Sequence, residues 1–302
     1  MKSEIALKKK NLWHEIRRKT EIALQRGALL PIPTDYEFIE ECGVRFIVRI
    51  LASLGLKDEV REKERRDAKS GILLSPFFPY DENLFVADIS KTHIALLNKF
   101  NVMEYHLLIV TRVFEDQETL LTLQDFEALW ACMAQYKALA FYNGGEAAGA
   151  SQRHKHLQMV PLPLAPVGPE VPIEPLLSGV RFENGIGLIP AFPFLHAFAL
   201  IRADISSPLK VAKETSDLYL AMLNKIGLKP TGAKSLKKQS APYCLLLTRK
   251  WMLLVPRSRE FFDSISINSL GFAGAFLVRN RTQMNLLKKR GPMAALKHVS
   301  IC

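Results

Sequence analysis

Six prolines fall within fifteen residues, at positions 161, 163, 166, 169, 172 and 175. Each lacks an amide hydrogen and fixes its own φ, so this stretch cannot be a helix interior or a central strand. We read 161–175 as an extended connector between an amino-terminal part, 1–160, and a carboxy-terminal part, 176–302. Both parts are long enough to bury a core, and 48% apolar with 24% charged residues is a globular composition that excludes wholesale disorder. The longest apolar stretches, 107–110 and 251–255, fall far below the ~20 residues that cross a bilayer. The amino terminus is too charged to supply the apolar core of a secretory signal.

Pattern places short elements along this frame. An amphipathic helix is expected over 1–27, with Trp13, Ile16, Ala23 and Leu24 on its apolar stripe and Gly27 as its stop. Val44, Ile47, Val48 and Leu51 recur at helical spacing and predict a second helix over 44–54. Strand-like runs follow at 84–87, 92–100 and 106–112, with connections short enough to favour antiparallel pairing. Thr122 is positioned to cap a helix bearing Phe126, Leu129, Trp130 and Met133 on one face, running to about 137. Strands are expected at 139–142, 153–160 and 192–201, a helix from Ser207 and Pro208 to Gly227, and a hairpin of 243–248 with 251–255 turning at Arg249-Lys250. Residues 269–274 open a final helical stretch. No repeat with a period of 20–50 residues is evident. The sum is an α+β chain with an antiparallel sheet and flanking helices.

A net charge of +11 asks for an anionic partner. The run 57–69 mixes both signs, which suits a solvated face. Lys99, Arg112, Lys155, Arg249, Lys250, Arg257 and Arg259 instead stand singly beside apolar strands. A nucleic-acid surface interleaves exposed aromatics with its basic stripe, and no such pattern is present, which argues against nucleic acid. Four scattered cysteines without a CxxC spacing argue against a disulfide framework or zinc knuckle and for a cytoplasmic protein with no membrane partner.

Reactive side chains concentrate in Asn143-Gly-Gly-Glu-Ala-Ala-Gly-Ala-Ser-Gln-Arg-His-Lys-His-Leu-Gln158. The glycines let successive amides turn towards one ligand, and Ser151 and Gln152 add neutral donors. On a strand, His154, His156 and Gln158 share one face while Lys155 and Leu157 take the other. An imidazole beside a donor-rich loop suits attack on a phosphoryl group. Two other readings stand beside it. The histidine pair could bind a metal, although no third ligand lies nearby in sequence, or could be satisfied polar groups on a half-exposed strand.

The segment His154-Lys-His-Leu-Gln158 resembles the His-x-His-x-Gln motif of the transferase branch of the histidine-triad superfamily. The wider sequence resembles the ATP adenylyltransferases, or diadenosine tetraphosphate phosphorylases. That resemblance includes Ser75-Pro-Phe-Phe-Pro-Tyr-Asp81, Leu97-Asn-Lys-Phe-Asn101, His106-Leu-Leu-Ile-Val-Thr111, Leu247-Thr-Arg-Lys-Trp-Met252, Pro256-Arg-Ser-Arg-Glu260 and Leu270-Gly-Phe-Ala-Gly274. It implies two fused histidine-triad-like halves, with 1–160 catalytic and 176–302 completing the nucleotide site.

The resemblance also implies reversible phosphorolysis of diadenosine tetraphosphate to ATP and ADP. His156 would be the nucleophile and carry the adenylyl group, His154 would orient the phosphate region, and Gln158 would donate to phosphate oxygens where hydrolase relatives carry a third histidine. The partners are then dinucleoside polyphosphates, ATP, ADP and inorganic phosphate, with a divalent cation such as magnesium screening charge and no dedicated protein metal site. Lys99, Asn101, Asn143, Gly145, Gly149, Ser151, Gln152, Thr248 and Lys250 become the candidate substrate contacts. His93, His106 and His196 take a structural default. Three departures bear on substrate preference: Cys244 stands where relatives are expected to carry Asn, Arg153 stands where some carry a smaller or rigid residue, and Glu146 puts an acid in the glycine loop. The rivals are another nucleotidyltransferase or hydrolase of the superfamily, such as a hexose-1-phosphate uridylyltransferase, and a catalytically silent nucleotide- or RNA-binding protein. The sequence leaves the oligomeric state open.

Overall fold

A computed structural model of the chain describes residues 5–7, 11–52, 75, 77–202, 204–231 and 237–302. The charged run 57–69 lies outside the described residues. Helix α1 (Leu12–Gln25) buries Leu12, Ile16 and Ala23 and ends just before Gly27, whose φ of 66° stops it. A hairpin follows, β1 (Thr34–Glu41) with β2 (Val44–Leu51). The helix expected over 44–54 is therefore a strand. Its residues are mostly β-branched or aromatic, and β2 is covered on both faces, so apolar side chains fill consecutive positions and imitate helical spacing.

The next elements are β3 (Phe85–Asp88), β4 (His93–Leu97), β5 (Leu107–Thr111), helix α2 (Leu123–Met133), β6 (Ala138–Gly144) and β7 (His156–Pro161). Thr122 caps α2 reciprocally with Asp125, a contribution of about 1 kcal/mol. Past the proline stretch come β8 (Arg181–Glu183), β9 (Ile186–Leu188), β10 (Ala197–Leu200), helix α3 (Pro208–Lys225), β11 (Tyr243–Leu247) and β12 (Trp251–Pro256). Ser207 precedes α3 as expected, but its hydroxyl makes no cap bond. The chain closes with β13 (Phe261–Phe262), β14 (Ile265–Ser266), a four-residue helix α4 (Ser269–Phe272), β15 (Ala275–Val278), α5 (Arg281–Arg290) and α6 (Pro292–Val299).

Strands β3 to β12 form one sheet in the order β3-β4-β5-β7-β6-β11-β12-β10-β9-β8. Every pairing in it is antiparallel. The order is a palindrome about the β6–β11 seam: each half runs β-β-β-α-β-β, and the two halves meet by the same strand. The repeat that the sequence hides spans 85–161 and 181–256. The registers give residue equivalences. Gln158 lies between Leu108 and Phe141, and Leu253 lies between Phe198 and Leu246. Trp251 thus occupies the place of His156, Leu253 that of Gln158, and His196 that of His106. The common trace is Met159-Val-Pro161 against Leu254-Val-Pro256, too short to find by inspection.

Helices α1, α2 and α3 cover one face of this sheet over a core that includes Phe126, Trp130, Leu157 and Met159. Trp130 Nε1 donates to Thr215 Oγ1 at 2.9 Å, joining α2 to α3 across the pseudo-dyad. The opposite face packs on a three-stranded sheet of order β1-β2-β15, in which β15 is parallel to β2, and on α4 to α6. The first and last parts of the chain therefore build one layer together. In the second half this face is filled by Phe192, Phe194, Phe198, Trp251 and Leu253. In the first half it is open.

Candidate active site

The opening is a cavity of about 510 Å³ between β4, β5 and β7 and the layer formed by β2, β14, α4 and β15. Strand alternation decides what faces it. His156 and Gln158 point into the cavity, and Lys155, Leu157 and Met159 point to the helix side.

His156 is 5% exposed, and its Nδ1 lies 2.8 Å from the carbonyl of His154. A carbonyl only accepts, so Nδ1 carries the proton and Nε2 keeps its lone pair. Burial pushes the imidazole down to about 4, outweighing the bond to the His154 carbonyl, which acts the other way, so the ring is neutral at pH 7. A neutral imidazole with one nitrogen fixed and the other free is a nucleophile without further activation.

Gln158 is oriented by His106. Asn98 Nδ2 donates to His106 Nδ1 at 3.2 Å, and His106 Nε2 then donates to Gln158 Oε1 at 3.0 Å. That turns the Gln158 NH2 towards the cavity. Asn143 is fixed the same way: its Oδ1 accepts from the amide and hydroxyl of Ser269 at 3.0 and 2.6 Å, leaving its NH2 for the cavity. His106 is thus an orienting residue rather than a core histidine, and its equivalent His196 spends the same position on the amide of Ile189 at 2.7 Å. The signal was two bonds away in space and absent from local sequence.

His154 is not on the cavity wall. It is fully buried, bonded to the Ser75 hydroxyl and to the Thr111 carbonyl at 2.7 Å, stacked by Phe78 and edged by Phe77 and Phe114. Its contribution to the cavity is the backbone carbonyl that holds His156. Behind the strand, Lys155 is fully buried and donates to Asp125 Oδ2 at 2.8 Å, Glu115 Oε2 at 3.0 Å and the Leu120 carbonyl at 2.9 Å. His93 meets the other Asp125 oxygen at 2.9 Å. Burial alone would raise the Asp125 carboxyl, but Lys155 and His93 outweigh it and hold it well below the usual range.

Lys99, Gly149, Ser151 and Gln152 line the cavity with Asn143, as the sequence suggests. At Gly149 φ is 88° and a Cβ would stand 2.8 Å from Asn268 Cβ, so the loop needs glycine there to approach α4. Four other candidates lie elsewhere. Gly145 is off the cavity wall, crowded by Gln239 and Glu118. Asn101 turns its amide to the Met103 carbonyl at 2.9 Å and braces its own loop. Thr248 and Lys250 sit in the β11–β12 turn, where Thr248 Oγ1 accepts from the Lys250 and Trp251 amides. They belong to the filled second half, where Thr248 is buried and closes the turn while Lys250 is exposed to solvent. Glu146 is exposed and off the wall, and Cys244 is buried behind Asn143 with its sulfur 3.1 Å from Arg257 Nη1.

The structure adds residues the sequence did not single out. Arg49 of β2 and Arg279 after β15 bring two further guanidinium groups to the cavity, and Ser264, Ser266, Asn268 and Gln283 add neutral polar groups. Burial lowers the pKa of Arg49. Arg257 stands under the glycine loop. It is 1% exposed, and its guanidinium donates to the carbonyls of Val299, Arg259 and Ile267 at 2.8 to 3.0 Å and of Ala148 at 3.4 Å. Among the described residues no three His, Cys, Asp or Glu side chains converge as a metal set. The arrangement can bind a polyanion along cationic and amide donors and present one nitrogen nucleophile to it.

Comparison with known proteins gives the same family over both parts of the chain. Residues 2–179 match the model of the Ap4A phosphorylase N-terminal domain, and residues 190–302 match that of the ATP adenylyltransferase C-terminal domain. The chain is similar to diadenosine 5',5'''-P1,P4-tetraphosphate phosphorylase 2 of Saccharomyces cerevisiae, 26% identical over 303 positions that cover 92% of this chain and 90% of that one. It is also similar to Protein APA1 of the same yeast, 29% identical over 217 positions, 63% of each. The crystal structure of yeast Ap4A phosphorylase Apa2 in complex with Ap4A superposes with a TM-score of 0.76 at 24% identity, covering 97% of this chain and 98% of that one.

Proposed function

This chain belongs to the Ap4A phosphorylase family, and from that premise we propose that it is a nucleotidyltransferase that splits diadenosine tetraphosphate by phosphorolysis through His156. The observation that carries the mechanism is the His156 ring: Nδ1 held by the His154 carbonyl, Nε2 unpartnered among the described residues and facing the cavity between the oriented amides of Gln158 and Asn143.

Nε2 attacks the α-phosphorus of one adenylyl group. A nitrogen–phosphorus bond forms, the bond to the bridging oxygen breaks, and ATP leaves. The positive charge that develops on the imidazole is met by the Nδ1–H bond to the His154 carbonyl, and charge on the phosphoryl oxygens by the NH2 groups of Gln158 and Asn143. An oxygen of inorganic phosphate then attacks the same phosphorus, releases the imidazole and gives ADP. Lys99, Arg49 and Arg279 supply the cationic surroundings for the rest of the polyphosphate. Magnesium bound by the substrate's own phosphates belongs to the proposal as a screen of that charge. We place the reaction in the cytoplasm. The four cysteines, all free, suit a reducing compartment, and among the described residues no helix is long and apolar enough to cross a membrane.

Incubation with diadenosine tetraphosphate and magnesium, with and without phosphate, tests this reading. ATP plus ADP are expected only with phosphate; ATP plus AMP without it would make the protein a hydrolase. His156→Ala is expected to abolish both products while retaining nucleotide binding by calorimetry, and an active His156→Ala would end the mechanism.

A further inference from the structure

We propose that Gln117, in the connection between β5 and α2, is a positioning residue for the nucleophile, acting as an amide wedge that holds β6 and β7 apart at His156. Ladder register continues the pair Phe141–Gln158 to Asn143 opposite His156. Those two residues are not paired in the sheet. The Gln117 side chain stands between them: its Oε1 accepts from the His156 amide at 2.9 Å, and its Nε2 donates to the Asn143 carbonyl at 3.0 Å and the His156 carbonyl at 3.2 Å. One side-chain amide has been inserted where a single amide-to-carbonyl bond would close the ladder.

The pseudo-symmetric half shows the closed alternative in the same molecule. The equivalents of Asn143 and His156 are Thr248 and Trp251. There the Thr248 amide donates directly to the Trp251 carbonyl at 2.9 Å, and the strands join in a two-residue turn. The connection from β10 to α3 runs 201–207, and none of its described residues bonds into that ladder, whereas the connection from β5 to α2 runs 112–122 and contains Gln117. The extra length is secured: the Gln117 amide donates to the Arg153 carbonyl at 2.7 Å, and its carbonyl accepts the Tyr142 hydroxyl. Gln117 is 2% exposed.

The consequence for the site is geometric. With the ladder open, residues 145–155 leave the sheet, Gly149, Ser151 and Gln152 reach the cavity wall, and the His156 ring and Asn143 amide are set from one common support. A polar wedge of this kind is costly to bury unless all its bonds are made, and here the side chain makes three. The proposal rests on His156 as nucleophile.

The test compares wild type, Gln117→Met and Gln117→Glu, with the rate of His156 adenylylation in single turnover, KM, and hydrogen exchange of backbone amides 153–160. Gln117→Met keeps length and loses every bond. It is expected to slow adenylylation by about 100-fold with KM changed less than about threefold, and to expose the His156 amide to exchange while Met159 stays protected. Gln117→Glu keeps the acceptor and loses the donors at neutral pH. Its rate relative to wild type is expected to recover as pH falls and the carboxyl regains a proton, which separates a positioning role from general destabilisation. Adenylylation within threefold of wild type in a folded Gln117→Met, or a His156 amide that stays protected, would overturn the wedge. If Gln117→Met does not fold, a Gln117→Glu rate that is unreduced or flat with pH overturns it equally. Exchange needs no turnover, so a wild-type protein inert towards the dinucleotide would sink the phosphorolysis reading without deciding this one.

Discussion

Burial of His156 lowers its pKa to about 4, and only the neutral ring has a lone pair to attack phosphorus. The sign follows directly. The nucleophile is present above the folded-state pKa and lost as pH falls through it. Single-turnover adenylylation is therefore expected to stay level from roughly pH 8 to 5 and to fall near about 4, not near the 6.5 of an exposed imidazole. The internal phosphates of the dinucleotide do not titrate in that window, so a rate that halves near 6.5 would show that solvent reaches the ring. At this scale seven residues singled out from the sequence, His156, Gln158, Asn143, Lys99, Gly149, Ser151 and Gln152, all line the cavity. The sequence could not assign the roles of His106, Arg49 and Gln117, whose partners lie tens of residues away, or of Asn98, which acts through His106, because no local pattern links an amide to the side chain it turns.

Strand β7 illustrates why the element matters more than its motif. One face carries the nucleophile, and the other anchors it through Lys155, whose three donors are met by Asp125, Glu115 and a carbonyl. Asp125 also caps α2, so a single carboxylate ties the helix to the active strand. Asp125→Ala would leave a buried ammonium short of one carboxylate and remove the carboxylate half of the capping box, leaving the Thr122 hydroxyl in place. It is expected to destabilise the fold by about 3–5 kcal/mol, read from the shift in denaturant midpoint. A loss under about 1 kcal/mol would mean that Lys155 finds another acceptor. Pattern reading found α1 by its exposed face, although the helix begins at Leu12 rather than at the start of the chain; it found α2 by the Thr122 cap, and the β11–β12 hairpin by two apolar runs parted at Arg249-Lys250. It failed at β2, where both faces are covered and period two disappears, and at β8–β9, whose strands of three residues are too short to carry a period.

The whole molecule is two copies of one topology joined edge to edge at β6–β11, with a layer across one face made from both ends of the chain. Neither half has a complete boundary of its own: β6 and β11 would each become a bare central edge, and β2 would lose β15. Heating is expected to give one transition with calorimetric and van't Hoff enthalpies in agreement, and a fragment ending at residue 179 is expected to aggregate rather than fold. Two resolved transitions would show that the halves are independent. The symmetry also explains why there is one site. Trp251 and Leu253 replace His156 and Gln158, and aromatic rings fill the second cleft. Whatever depends on near neighbours was legible in the sequence: the α+β class, the capped helix, and the strand whose alternation puts His156 and Gln158 on one face. The direction in which each functional atom points is set by the assembled fold. The Gln158 amide, the Asn143 amide and the opening of the β6–β7 ladder are set by hydrogen bonds from His106, Ser269 and Gln117, and such bonds exist only once the fold has brought those residues within about 3 Å.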